Sequence, residues 1–133
     1  MKKMRELGLL MLNGESGGYN GAFKARFKAI GKKAMKELAV LLELKEHDVS
    51  FNPGGIAVSG DLTLMGMWDE GTGVYVTMNK DFPNKPWGDV LFRTIKDMRD
   101  FTGGPNQYFR FNLLQFPEAL KEEVFMKLRR RVE

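Results

Sequence analysis

Between residues 23 and 41 apolar side chains recur every three or four positions: Phe23, Phe27, Ile30, Ala34, Leu38 and Leu41. At about 100° per residue they form one narrow stripe, so the spacing predicts a helix over residues 21–44. Asn20 is its candidate N-cap. Lys24, Lys28, Lys32 and Lys36 step every four residues along another face, with Arg26 and Lys33 further round. Gly31 inside this pattern marks a close packing contact. Beyond His47 the period changes to two. Val49 and Phe51 alternate with polar neighbours until Pro53, Gly54 and Gly55 break the chain. Ile56, Val58, Leu62 and Leu64 then share one parity, opposite Ser59, Asp61 and Thr63, which predicts a half-buried strand. Gly60 within it predicts a bulge or a close backbone approach. Residues 69–73, DEGTG, predict a hairpin turn, and Val74, Val76 and Met78 alternate in the next strand.

Residues 80–88, KDFPNKPWG, predict a loop. DVLFRTI, 89–95, predicts a further strand, and YFRF, 108–111, a short extended segment. Pro117 suits the first turn of a last helix. Leu120, Val124, Leu128 and either Phe125 or Met126 can face inward from it. Arg129, Arg130 and Arg131 fall at its C-terminus, where the helix dipole favours positive charge. The order is helix, several strands on short connections, then helix. That predicts an α+β fold: a mainly antiparallel sheet of four or five strands packed against a long N-terminal helix, with a C-terminal helix. A chain of 133 residues predicts one domain over 1–133.

Composition adds constraints. Ten Phe and nine Met predict a Phe-rich core with Met as filler. The absence of Cys excludes disulfides, thiolate zinc sites and Cys nucleophiles, and fits a reducing cytoplasm. No apolar run approaches the roughly 18 residues of a membrane span, so no membrane partner is expected. MKKMRELGLLML begins like a secretion signal, but its apolar run is confined to Leu7–Leu12, follows Glu6, and meets no small-residue cleavage site. It reads as a mature N-terminal element. Charge is uneven: net +5 over residues 1–47, −3 over 48–88 and +2 over 89–133. A basic excess at the two ends suits a nucleic-acid or acidic-protein partner.

Few motifs carry chemistry. Gly14–Gly18, GESGG, matches G-x-S-x-G formally, but no buried strand precedes Ser16 and a turn follows it, so it reads as a glycine-rich turn. His47, the single histidine, stands at the end of the predicted long helix, where it can meet the last carbonyls. Asp97 and Asp100 lie among cations with no His or Cys beside them, so no metal is expected, and no cofactor motif is present. The segment 91–109, LFRTIKDMRDFTGGPNQYF, is different. Arg93, Lys96 and Arg99 precede Thr102, Gly103 and Gly104, with the amides of Asn106 and Gln107 beyond. Cations beside glycine N–H groups can form a concavity for phosphate. Phe101 and Tyr108 can stack on a base. The competing reading is a tight turn with its charges in water. Lys24, Lys28, Lys32 and Lys36 would add contacts to a phosphate backbone. Trp68 and Trp87 are the aromatics to expect at an interface.

NPGGIAVSGD (52–61), GVYV (73–76) and LFRTIKDMRDFTGGPNQY together resemble small uncharacterised phage- and plasmid-borne accessory proteins. That group carries a P-G-G-x-A-V-S-G segment and a [YF]-R-[ST]-x-K-x-x-x-D-[YF]-[TS]-G-G-x-N segment. Here the second reads Phe92, Arg93, Thr94, Lys96, Asp100, Phe101, Thr102, Gly103, Gly104 and Asn106. The likeness covers about residues 23–107. It implies a mobile-element accessory protein in the cytoplasm of a bacterial host, acting on nucleic acid or on a host defence system. Three functions follow as expectations. The first is a non-enzymatic protein that binds nucleic acid or a nucleotide phosphate through the Gly-Gly-Pro-Asn loop and the lysine-rich helix. The second is an anti-defence, anti-CRISPR-like inhibitor that binds a host nuclease complex. The third is a compact nucleotide-acting enzyme.

Overall fold

The computed structural model describes residues 1–13, 21–55, 58–80 and 89–128. Helix α1 spans Lys2–Asn13 and α2 Gly21–Leu41. Five strands follow: β1 Glu46–Asn52, β2 Asp61–Asp69, β3 Thr72–Met78, β4 Val90–Ile95 and β5 Gln107–Phe109. A 3-10 turn at Phe111–Gln115 leads into α3, Pro117–Lys127. The strands form one sheet in the order β1-β2-β3-β4-β5, every neighbouring pair antiparallel. The fold is therefore α+β.

Strand parity decides what the sheet does on each side. Leu62, Leu64, Val74, Val76, Met78, Val90, Phe92 and Phe109 share one face and are buried under the helices. Phe27, Ala34, Met35 and Leu38 of α2 join them in one core with Met4, Leu7 and Met11 of α1. Burying each large apolar side chain contributes roughly 1.5–3 kcal/mol. Gly31 lets α2 descend onto β2, since a Cβ there would lie 2.6 Å from Leu62 Cδ2. On the other face Thr63, Met65, Tyr75, Thr77 and Leu91 are only half-buried.

The N-terminal element is a helix held at both ends by distant residues. Glu37 of α2 accepts from the backbone N–H of Met4 at 2.8 Å and of Lys3 at 3.2 Å, satisfying donors that α1 itself leaves open. At the other end the buried Lys80 ammonium donates to the Met11 carbonyl oxygen. Burial pushes the Lys80 ammonium below the usual lysine range, partly offset by the Asp89 charge.

Several local expectations are corrected. Helix α2 stops at Leu41, because Glu43 turns into the left-handed region (φ 61°). The Leu44 N–H then bonds the Ala39 carbonyl at 3.0 Å, closing the helix in the way glycine usually does. His47 consequently belongs to β1, exposed, and not to a helix end. Strand β2 begins at Asp61, so Val58 precedes it; Gly60 is a close approach under the Phe51 ring, and the register shift lies at Met67/Asp69. Arg110 and Phe111 leave the extended segment, and Phe111 opens the 3-10 turn. From α3, Leu120, Val124 and Phe125 face inward and Met126 outward. Trp68 is no interface residue: it is 1% exposed, with its indole N–H donating to the Leu42 carbonyl at 2.6 Å. Asn20, the GESGG turn, Ile56, the loop after Lys80 with Trp87, and Arg129–Arg131 lie outside the described residues.

Candidate functional site

Strand β4 ends at Ile95, and the chain then folds back over the half-buried face of the sheet. Asp100 organises the turn. One of its carboxylate oxygens accepts from the Gly103 N–H at 2.8 Å, the Thr102 N–H at 3.1 Å and the Thr102 hydroxyl at 3.1 Å. The other accepts from the Lys96 N–H at 2.9 Å. These donors, Gly103 foremost and then Lys96 and Thr102, hold the Asp100 carboxyl well below the usual carboxylate range. The N–H groups of Lys96, Thr102 and Gly103 thus converge on the protein's own carboxylate. Asp97 caps the first bend through the Arg99 N–H at 2.8 Å.

Arg93 lies beneath this turn. It is cross-strand neighbour to Tyr75, and its guanidinium carbon sits 4.2 Å from the Tyr75 ring centroid. Its Nη2 donates to the Phe101 carbonyl oxygen at 3.0 Å. Nη1 is buried with no hydrogen-bond partner among the described residues. Arg93 is only 7% exposed, so its side chain supports the loop from below and is not displayed on the sheet surface. Gly103 is required above it. Its φ is +56°, and a Cβ would lie 2.5 Å from the Thr94 carbonyl oxygen and 2.6 Å from Arg93 Nη1. The Gly104 N–H returns to the Thr94 carbonyl at 3.0 Å.

What the turn presents outward is a different set. Lys96, Arg99, Thr102 and Asn106 are exposed, while Gly104 and Gln107 are half-buried. No ion pair engages the Lys96 or Arg99 side chain among the described residues. Between these cations and Thr102 stands Phe101, 75% exposed. A cleft of about 480 Å³ is lined by Lys45 and Lys96 together with Glu46, Asp69, Glu70 and Asp97; the carboxylates outnumber the lysines, which disfavours phosphate inside the cleft itself.

The lysine row of α2 is a separate surface. Lys24 donates to the Gly55 carbonyl at 3.0 Å, and Lys28 lies 5.9 Å from the Phe51 ring centroid, so both reach along the β1 edge. Lys32 is half-buried and Lys36 exposed. Phe51 belongs to the helix-covered face, whereas Arg93 and the loop belong to the opposite face, three strands away. At about 4.8 Å per strand, that is roughly 14 Å across the sheet. The fold brings Arg93, Lys96, Arg99, Thr102, Gly103, Gly104, Asn106 and Gln107 together and keeps Lys24, Lys28, Lys32 and Lys36 apart from them.

Among the described residues no three His, Cys, Asp or Glu side chains are placed to hold a metal ion. No described helix is long and apolar enough to cross a membrane. No protein-family model, curated protein or solved structure matches this chain.

Proposed function

We propose that this chain is a small, non-enzymatic nucleic-acid-binding protein of the mobile-element accessory kind. The observation that carries the reading is the loop after β4, which gathers the N–H groups of Lys96, Thr102 and Gly103 on Asp100 and turns the unpaired side chains of Lys96 and Arg99 to solvent. Lys96 and Arg99 are the phosphate contacts, with the exposed Asn106 further along the same loop. Thr102, Gly103 and Gly104 build the loop, and Arg93 holds it. The lysines of α2 supply a second, sequence-independent surface on the other layer of the fold.

The test is fluorescence anisotropy with labelled single-stranded DNA, duplex DNA and RNA across roughly 50–200 mM salt, where phosphate contacts weaken steeply. Binding that falls with salt, and less steeply after Lys96→Ala or Arg99→Ala, supports the reading. No binding at low salt removes it.

A second reading is supported by α3. Phe116, the residue that caps its N-terminus, and Met126 near its C-terminus are both exposed, with Ala119, Glu122 and Glu123 lining the surface beside Met126. Exposed apolar side chains at the start and on the outer face of α3 suit a protein partner, as an inhibitor of a host nuclease complex would require. Co-purification with such a complex in the absence of nucleic acid, lost in Phe116→Ser, would favour it.

A further inference from the structure

We infer that the loop is a stacking platform for one unpaired base, and that the nucleic acid it takes is single-stranded and read without sequence preference. This rests on the nucleic-acid reading above and adds Phe101 as the residue that contacts the base.

Phe101 is 75% exposed, and its backbone is fixed on both sides. Its carbonyl is held by Arg93, itself wedged against Tyr75. The residue before it, Asp100, gathers the N–H groups of Lys96, Thr102 and Gly103. An exposed apolar ring on a slack loop would fold down against the sheet. Here the Arg93 bond to the Phe101 carbonyl and the Asp100 bonds on either side hold the backbone in the conformation that leaves the ring in solvent. Such a pre-ordered ring binds without paying to order its loop.

The size of the apolar surface selects the ligand. Along the loop Arg99, Thr102, Gly103, Pro105 and Asn106 are exposed and Met98 is half-buried. Among the described residues between Val40 and Phe116, Phe101 is the one exposed large apolar side chain, so the apolar surface is that of a single ring. That is too small for the packed centre of a protein interface, and it matches the face of one base. Lys96 and Arg99 stand within five residues of the ring, suited to the phosphates that flank a stacked base. Phenylalanine has no donor or acceptor, so it takes any base, and a base stacked inside a duplex is not available to it.

The experiment uses the full chain and three probes of equal length and phosphate number: oligo-dT, the same backbone with abasic sites throughout, and a duplex. Oligo-dT should bind at least about fivefold more tightly than the abasic strand. Phe101→Leu should bring oligo-dT down to the abasic level with an unchanged salt slope. Phe101→Trp should keep the preference and report it by fluorescence quenching. Circular dichroism verifies that each variant is folded, and the probe comparison on the native chain stands without any variant. Equal affinity for oligo-dT and the abasic strand, or an unaffected Phe101→Leu, would overturn the stacking platform while leaving phosphate binding intact. No binding of any probe at about 50 mM salt would remove the nucleic-acid reading itself.

Discussion

Arg93 donates to the Phe101 carbonyl oxygen at 3.0 Å, so a cation that is 7% exposed holds in place an aromatic residue that is 75% exposed. The two are eight residues apart and separated by the turn that Asp100 closes. Arg93 is thereby committed to the architecture of the loop. Phosphate contact falls to its neighbours.

The salt dependence of binding separates these roles. Lys96→Ala and Arg99→Ala should each reduce the slope of log affinity against log salt by about 0.7, one counterion's share on a single strand. Arg93→Met should lower affinity for single strands with the slope unchanged, because a buried cation releases no counterion. It should also destabilise the fold by about 1–3 kcal/mol, through the lost carbonyl bond and the lost Tyr75 contact. Anisotropy titrations and urea denaturation measure the two effects.

Asp100 predicts an acid limit for the loop. Its carboxyl is lowered in the folded state, so its contribution is complete above the ordinary carboxylate range, near about pH 4. It is lost as pH falls through the lowered value. The amide resonances of Lys96, Thr102 and Gly103 should therefore keep their positions on acidification from neutral pH to about pH 4 and move only below it. Asp100→Asn should shift them at neutral pH and weaken oligo-dT binding without changing affinity for the abasic strand.

Gly103→Ala should displace the turn. The left-handed φ and the approach of Thr94 and Arg93 leave no room for a methyl group. A cost of about 1–3 kcal/mol is expected, read by denaturation, with faster exchange of the Gly104 amide as its local signature.

In the core, Gly31→Ala sets two effects against each other. Alanine favours the helix by about 1 kcal/mol, whereas crowding the buried Leu62 costs about 1–3 kcal/mol. With Leu62 fully buried and its Cδ2 at 2.6 Å, crowding wins, and the variant should melt at a lower temperature.

Much of the fold was legible because it is written in periodicity. The Phe23–Leu41 stripe marked α2, and alternating residues marked β2 and β3. Two features were not legible. Helix α1 has a short apolar run, and its ends are satisfied by Glu37 and Lys80, residues 33 and 69 positions distant. The end of α2 carries no glycine, since Glu43 takes the left-handed position instead. In the candidate site the residues were visible as a group, but the division between those that hold the turn and those that face outward was not. Asp100 looked like an acid among cations; in the structure it is the acceptor for the loop's own N–H groups.

The sequence by itself determined the elements, the apolar face of each and the clustering of cations around a glycine turn, because these depend on spacing and residue type alone. Only the tertiary structure decided which side chains reach solvent. Arg93, Lys96 and Arg99 are three cations within seven residues of one another, and nothing local distinguishes them. Pairing of β4 with β3 sets Arg93 against Tyr75, and the returning loop covers it, whereas Lys96 and Arg99 lie beyond the last ladder position and stay in water. Packing of α2 on β1 and β2, through Phe27 against Phe51 and Gly31 against Leu62, puts its lysine row on the other layer. Burial is a property of what folds over a residue, and here that is decided across strands.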